Sequence, residues 1–126
     1  MDKQITPTEK APAPIGPYSQ AVMINGTLYM SGQIPIDPAT GQVISGDIEA
    51  ETRQVMHNIK AILDAYQLGF NNIVKTTIFI RNMGDFARIN TVYGSLFERD
   101  YPARETVEVS RLPKDVNVEI SCIAVK

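Results

Sequence analysis

Apolar and polar positions alternate with a period of two near both ends of the chain and repeat with a helical period in its middle. The alternation is plainest in the last quarter. There Tyr101-Pro102-Ala103-Arg104-Glu105-Thr106-Val107-Glu108-Val109 is followed by a break at Leu112-Pro113-Lys114-Asp115, and then by Val116-Asn117-Val118-Glu119-Ile120-Ser121-Cys122-Ile123. Two alternating runs about a proline-containing break predict a β-hairpin. With Arg111 opposite Val116, Arg104, Thr106 and Glu108 share one face with Asn117, Glu119 and Ser121. Val107 and Val109 then share the other face with Val118 and Ile120, because side chains alternate along each strand.

Earlier in the chain, Tyr18–Ile24 and Thr27–Ser31 read as two strands about Asn25-Gly26, a pair suited to a turn whose central positions need positive φ. Residues 1–17 hold Pro7, Pro12, Pro14 and Pro17, which favour extended backbone and make this stretch a tethered lead-in. The punctuated stretch from Gly32 to Gly46 reads as loop. Asp47 is placed to cap a helix, with Glu49 and Glu51 in its first turn. Val55, Met56, Ile59, Ile62, Leu63 and Tyr66 then form a one-sided stripe, and Gly69 sits where a C-terminal glycine cap belongs. Ile73–Arg81 is β-branched through its centre with apolar side chains on both faces, as in a strand covered twice, once by a helix and once by a neighbouring subunit. A second helix is expected over residues 85–98, with Phe86, Ile89, Tyr93, Leu96 and Phe97 as its buried stripe. The order β-β-α-β-α-β-β predicts an α+β fold, one mixed sheet with two helices on one face, in a single domain spanning residues 1–126.

Composition narrows the function. The formal charge of −2 leaves no electrostatic footprint for nucleic acid. No apolar run approaches the roughly 20 residues of a membrane span, and none follows a basic start, so neither membrane insertion nor secretion is expected. A cytosolic (cytoplasmic) setting follows. Cys122, the one cysteine, falls on an apolar strand face and reads as a small buried hydrophobe. His57 has no second ligand at metal spacing, and no phosphate loop or dinucleotide fingerprint is present, so no metal and no cofactor is expected.

Chemistry is concentrated in a few side chains. Arg104, held by Pro102-Ala103 at a strand start, suits a bidentate grip on a carboxylate. Glu119, mid-strand among apolar neighbours, suits proton transfer or orientation of a water. Tyr18 and Ser31 offer hydroxyls, and Gly32 lets a ligand approach the backbone closely. A plainer account is that Arg104 and Glu119 form a surface ion pair and that Thr106 and Ser121 are ordinary cross-strand polar residues.

In family order along nearly the whole chain stand residues 11–20 (Ala-Pro-Ala-Pro-Ile-Gly-Pro-Tyr-Ser-Gln), Ser31-Gly32-Gln33-Ile34-Pro35, Val74-Lys75-Thr76-Thr77, Phe86–Tyr93, Pro102-Ala103-Arg104, and Arg111–Asp115 leading to Val118-Glu119-Ile120. In these segments the chain resembles the reactive intermediate/imine deaminase (Rid, YjgF-like) family. The resemblance implies a chorismate-mutase-like α+β fold, a homotrimer with intersubunit active sites, and cofactor-free hydrolysis of 2-imino acids or their enamines to 2-oxo acids and ammonia. Such a reaction protects pyridoxal-phosphate enzymes from 2-aminoacrylate and its relatives. It implies Arg104 as the carboxylate clamp and Glu119 as the residue positioning water and passing protons. Ser31, Gly32, Tyr18, Asn90, Tyr93 and Thr106 would line or support the pocket. Many members of the family carry cysteine where this chain has Thr106, so the implied mechanism uses no thiol. Two other roles attach to the family: a non-catalytic sensor of small 2-oxo acids, and a ribonuclease or translation inhibitor, which the acidic balance disfavours.

Overall fold

Asn25 and Gly26 both take positive φ, 49° and 79°, as a two-residue turn between twisted antiparallel strands requires. The turn joins β1 (Ala21–Ile24) to β2 (Thr27–Gln33) in the computed structural model, which describes residues 2–126. Helix α1 (Ile48–Ala65) follows a long loop, and Asp47 caps it by accepting from the Glu49 N–H at 3.2 Å. The chain continues through β3 (Ile73–Ile80), α2 (Phe86–Gly94), β4 (Ala103–Glu108) and β5 (Val118–Val125). The element order is the one the periodicities predict.

Three local expectations are corrected. Gly69 does not close α1: Gln67, one residue past the Tyr66 C-cap, takes the left-handed conformation, and Gly69 is extended with φ −131°. Helix α2 stops at Gly94 rather than residue 98, and Leu96 is exposed instead of joining the stripe. The third correction matters most. The last two strands are not a hairpin, because β3 lies between them in the order β1-β2-β5-β3-β4. Strand β4 runs parallel to β3, returned by the α2 crossover, and β5 pairs antiparallel with both β2 and β3. Burial explains the placement. Alternate residues of β5, Val118, Ile120, Cys122 and Ala124, are buried, which suits a central strand. The charged run Ala103–Glu108 suits an edge, where charges discourage further pairing.

Both helices pack on one face of the sheet, over Leu28, Met30, Ile78, Ile80, Val118, Ile120 and Cys122. The opposite face carries Tyr29, Phe79, Val107 and Ile123 among Lys75, Thr77, Glu105, Glu119 and Ser121, and no helix covers it. Tyr29 and Val107 are left 51% and 41% exposed there. The proline-dotted lead-in is tethered as expected. Gln20 is buried, accepts from the Thr8 N–H, and donates to the carbonyls of Thr8, Ala11 and Pro12.

Candidate active site

The register decides which side chains can meet. Arg104 lies beside Thr76 and Thr106 beside Ile78, both on the helix face; across β3 the same rows reach Cys122 and Ile120. Glu119 lies opposite Phe79, one residue out of phase, and points to the other face with Ser121. Arg104 and Thr106 therefore do not share a face with Glu119 within one chain. The hairpin register predicts that they do, and it fails because a parallel third strand separates them.

Two half-sites result. On the helix side, Asn90, Tyr93, Gly94, Tyr101, Pro102 and Arg104 line an open groove of about 460 Å³. Arg104 rests on an aromatic shelf, its guanidinium carbon 5.3 Å from the Phe86 ring centre and 5.2 Å from that of Tyr93. Its Nη1 donates to Asn90 Oδ1 at 2.6 Å, so ring stacking and one hydrogen bond aim the fork while its other N–H groups have no partner among the described residues. Tyr93 is itself fixed by a 2.8 Å bond between its hydroxyl and Thr76 Oγ1, and burial pushes its phenol up. Phe86, Asn90 and Tyr93 are spaced four and three apart, one face of α2, and that spacing is the signal that identifies Phe86 as part of the shelf. Thr106 sits two residues further along β4. Its hydroxyl is buried and has no hydrogen-bond partner among the described residues.

On the other side, Ile15, Tyr18, Ser31, Gly32, Ile34, Pro113 and Glu119 line a second groove of about 360 Å³. Ser31-Gly32 is a β-bulge: Met30 pairs with Cys122 but Gln33 with Ile120, one residue out of step. The bulge brings the Gly32 backbone against Glu119. A Cβ at Gly32 would stand 2.7 Å from Glu119 Cδ and 3.0 Å from Cγ, so only glycine leaves room for this carboxyl. Burial alone raises the Glu119 carboxyl above the ordinary carboxylate range, toward the values useful for proton transfer. Ser31 Oγ donates to the Ser19 carbonyl at 2.6 Å, which leaves it free only to accept. The Tyr18 hydroxyl accepts from the Ile15 N–H at 3.2 Å, and the ring is 46% exposed at the rim. Ile15, Ile34 and Pro113 come together only through loops, and no spacing in the sequence points to them.

The two grooves hold complementary functions. One presents a fixed cation with free donors, the other a half-buried acid beside an open backbone. Among the described residues no cluster of three or more His, Cys, Asp or Glu could hold a metal ion. Among the same residues no helix is long and apolar enough to cross a membrane.

Comparison with known proteins agrees with the resemblance read from the motifs. The model of a family described as endoribonuclease L-PSP matches residues 8–126. A RutC family protein of Pyrococcus horikoshii is 53% identical over 124 residues, covering 98% of each chain. The fold matches a crystal structure of a conserved Rid family protein of unknown function from Yersinia pestis with TM-score 0.97 and 50% identity, covering 99% of this chain and 100% of that one. It also matches Escherichia coli TdcF with bound serine, with TM-score 0.94 and 44% identity over 98% of each chain.

Proposed function

The chain belongs to the Rid (YjgF-like) family, and from that premise we propose that it hydrolyses small 2-imino acids, or their enamine tautomers, to 2-oxo acids and ammonia. The observation that carries the reading is the pair of half-sites: a carboxylate-ready Arg104 on one face of the sheet and a half-buried Glu119 on the other. Neither half suffices for the reaction. The chain assembles as a homotrimer in which the Arg104 groove of one copy meets the Glu119 groove of the next. The apolar side chains Tyr29, Phe79, Val107 and Ile123 on the uncovered face supply the burial for that contact. Bound serine in the TdcF structure, a small amino acid with a free carboxylate, supports a ligand of this size and charge.

In this reading Arg104 binds the substrate carboxylate through its fork, with Asn90 and the Tyr93 shelf fixing its direction. Glu119 accepts a proton from water as the water oxygen bonds to the imine carbon. Glu119 passes that proton to the imine nitrogen, and the resulting carbinolamine collapses as Glu119 takes the hydroxyl proton and delivers it to the leaving nitrogen. Ammonia departs and the carbonyl remains. Imine hydrolysis is facile in water, so orientation and one proton carrier suffice.

The test couples the protein to a threonine dehydratase and follows 2-oxobutanoate release. Added protein should accelerate release, and Arg104→Ala should lower kcat/KM by about 100-fold or more while the assembly stays intact. Arg104→Lys should also be weak, since an ammonium lacks both the fork and the stacking plane. No acceleration by the wild type sinks the proposal. The family model's own description favours a second reading, an endoribonuclease. RNA cleavage that copurifies through repeated columns and survives Arg104→Ala would support it.

A further inference from the structure

Glu51 is a carboxylate with no part in the site described so far. It lies in the first turns of α1, where a glutamate would ordinarily face water, yet it is only 2% exposed. Both its oxygens accept from Asn117 Nδ2, at 3.1 and 3.2 Å. Asn117 stands immediately before β5, and its carbonyl accepts from the Arg81 N–H at 3.1 Å. The Asn117 side-chain amide is thus committed to α1 and its carbonyl to the residue after β3.

The place of this clamp in the chain gives it meaning. Asn117 is two residues before Glu119 and four after Pro113, and both of those line the same groove. Between Pro113 and Asn117 the backbone takes the left-handed conformation twice in succession, at Lys114 (φ 56°) and Asp115 (φ 55°), with no glycine to make it easy. Two adjacent L-residues in that region hold their shape only where the surroundings over-determine it. Arg111 grips Asp115 from the near side at 2.7 Å, an exposed contact. Glu51 grips the far side from the interior.

We infer that Glu51 is a positioning residue for Glu119: from α1 it fixes Asn117, and through it the start of β5 that sets the Glu119 carboxyl against Gly32. The inference rests on the proposed deaminase reaction. What it requires of residue 51 is an acceptor oxygen, not a charge. Asp47 and Asp85 are the charged groups that act on Glu51 most directly, and both disfavour its ionised form. A glutamine carbonyl can take the same N–H groups without that burden.

Two substitutions separate the roles. Glu51→Met keeps the length and removes the acceptor; Glu51→Gln keeps the acceptor. Each is made in the wild-type and Glu119→Gln backgrounds and assayed with the coupled dehydratase. Glu51→Met should lower kcat about tenfold with KM little changed, because the Arg104 groove is untouched. Glu51→Gln should stay within about twofold of wild type. On Glu119→Gln, Glu51→Met should cost less than about twofold more, since a residue acting through Glu119 has nothing left to act on. An equal loss in both backgrounds, or failure of Glu51→Gln to rescue, overturns the inference. Carboxyl carbon NMR of Glu119 gives a readout independent of turnover. Its titration midpoint should fall by about half a unit or more in Glu51→Met, toward the ordinary value, and hold in Glu51→Gln. If Glu51→Met does not fold, Asn117→Ala opens the clamp from the other side and should show the same fall. A wild type that never turns over 2-imino acids overturns the reaction alone, whereas an unmoved Glu119 midpoint overturns the positioning.

Discussion

An added Cβ at Gly32 would come within 2.7 Å of the Glu119 carboxyl carbon, so alanine there forces the carboxyl away from the bulge and toward water. Glu119 is raised only by burial, and hydration should return it toward an ordinary glutamate. Gly32→Ala should therefore lower kcat about tenfold or more and move the acidic limb of the kcat/KM profile to lower pH. An unchanged profile in a folded variant would argue against Glu119 as the proton carrier. Thr106 makes the converse case. Its buried hydroxyl has no partner among the described residues, and such a group costs about 1–3 kcal/mol. Thr106→Val, nearly the same shape, should raise stability by about 1 kcal/mol in denaturant unfolding at matched protein concentration, with activity retained. Loss of activity would instead show that the threonine hydroxyl touches substrate. These two residues also mark what reading a sequence can reach. Glycine after Ser31 signals close approach, but what approaches it is set by a strand more than eighty positions away. The alternation Arg104-Thr106-Glu108 is legible, yet which face it joins is not.

At the scale of elements, the grooves depend on loops held by helix side chains. Asn58 in α1 is fully buried and donates to the Ile34 and Ile36 carbonyls at 3.2 and 2.9 Å, while its Oδ1 accepts from Gln54. It carries the β2–α1 loop, and Ile34 of that loop lines the Glu119 groove. Asn58→Ala takes the side-chain donor from the Ile36 carbonyl and leaves the Ile34 carbonyl with the Ile36 N–H alone, so it should cost about 1–3 kcal/mol, read from the shift of the urea midpoint. A change below about 0.5 kcal/mol would mean the loop finds other donors. Helix α2 plays the matching part for the other groove, with Phe86, Asn90 and Tyr93 presented to Arg104. Periodicity reveals such helices well, because a 3.6-residue repeat is local. Pairing of β4 with β5 is not decided by spacing, because two alternating runs joined by a break look the same whether or not a third strand comes between them.

For the whole molecule, the geometry makes a quantitative prediction. Arg104→Ala and Glu119→Gln should each be nearly inactive alone. If one site draws Arg104 from one copy and Glu119 from the next, refolding them together at equal amounts should restore roughly a quarter of wild-type activity, since that fraction of interfaces pairs two intact halves. A site contained within one chain would recover nothing. Size-exclusion chromatography with light scattering should give three copies per particle at all concentrations where the mixture is active. A stable monomer with full activity would contradict the two-copy site.

The sequence by itself determined the elements, their order, the buried stripe of α1, its N-terminal cap, the Asn-Gly turn and the short roster of chemical side chains. All of these are consequences of local spacing and residue type. Tertiary structure alone decided that β5 inserts between β2 and β3, that Ser31-Gly32 forms a bulge, and that Arg104 and Glu119 stand on opposite faces of one sheet. Strand order and register are settled by which apolar rows are buried most completely, a competition among distant segments. A one-residue difference in phase there turns a single shared face into two half-sites.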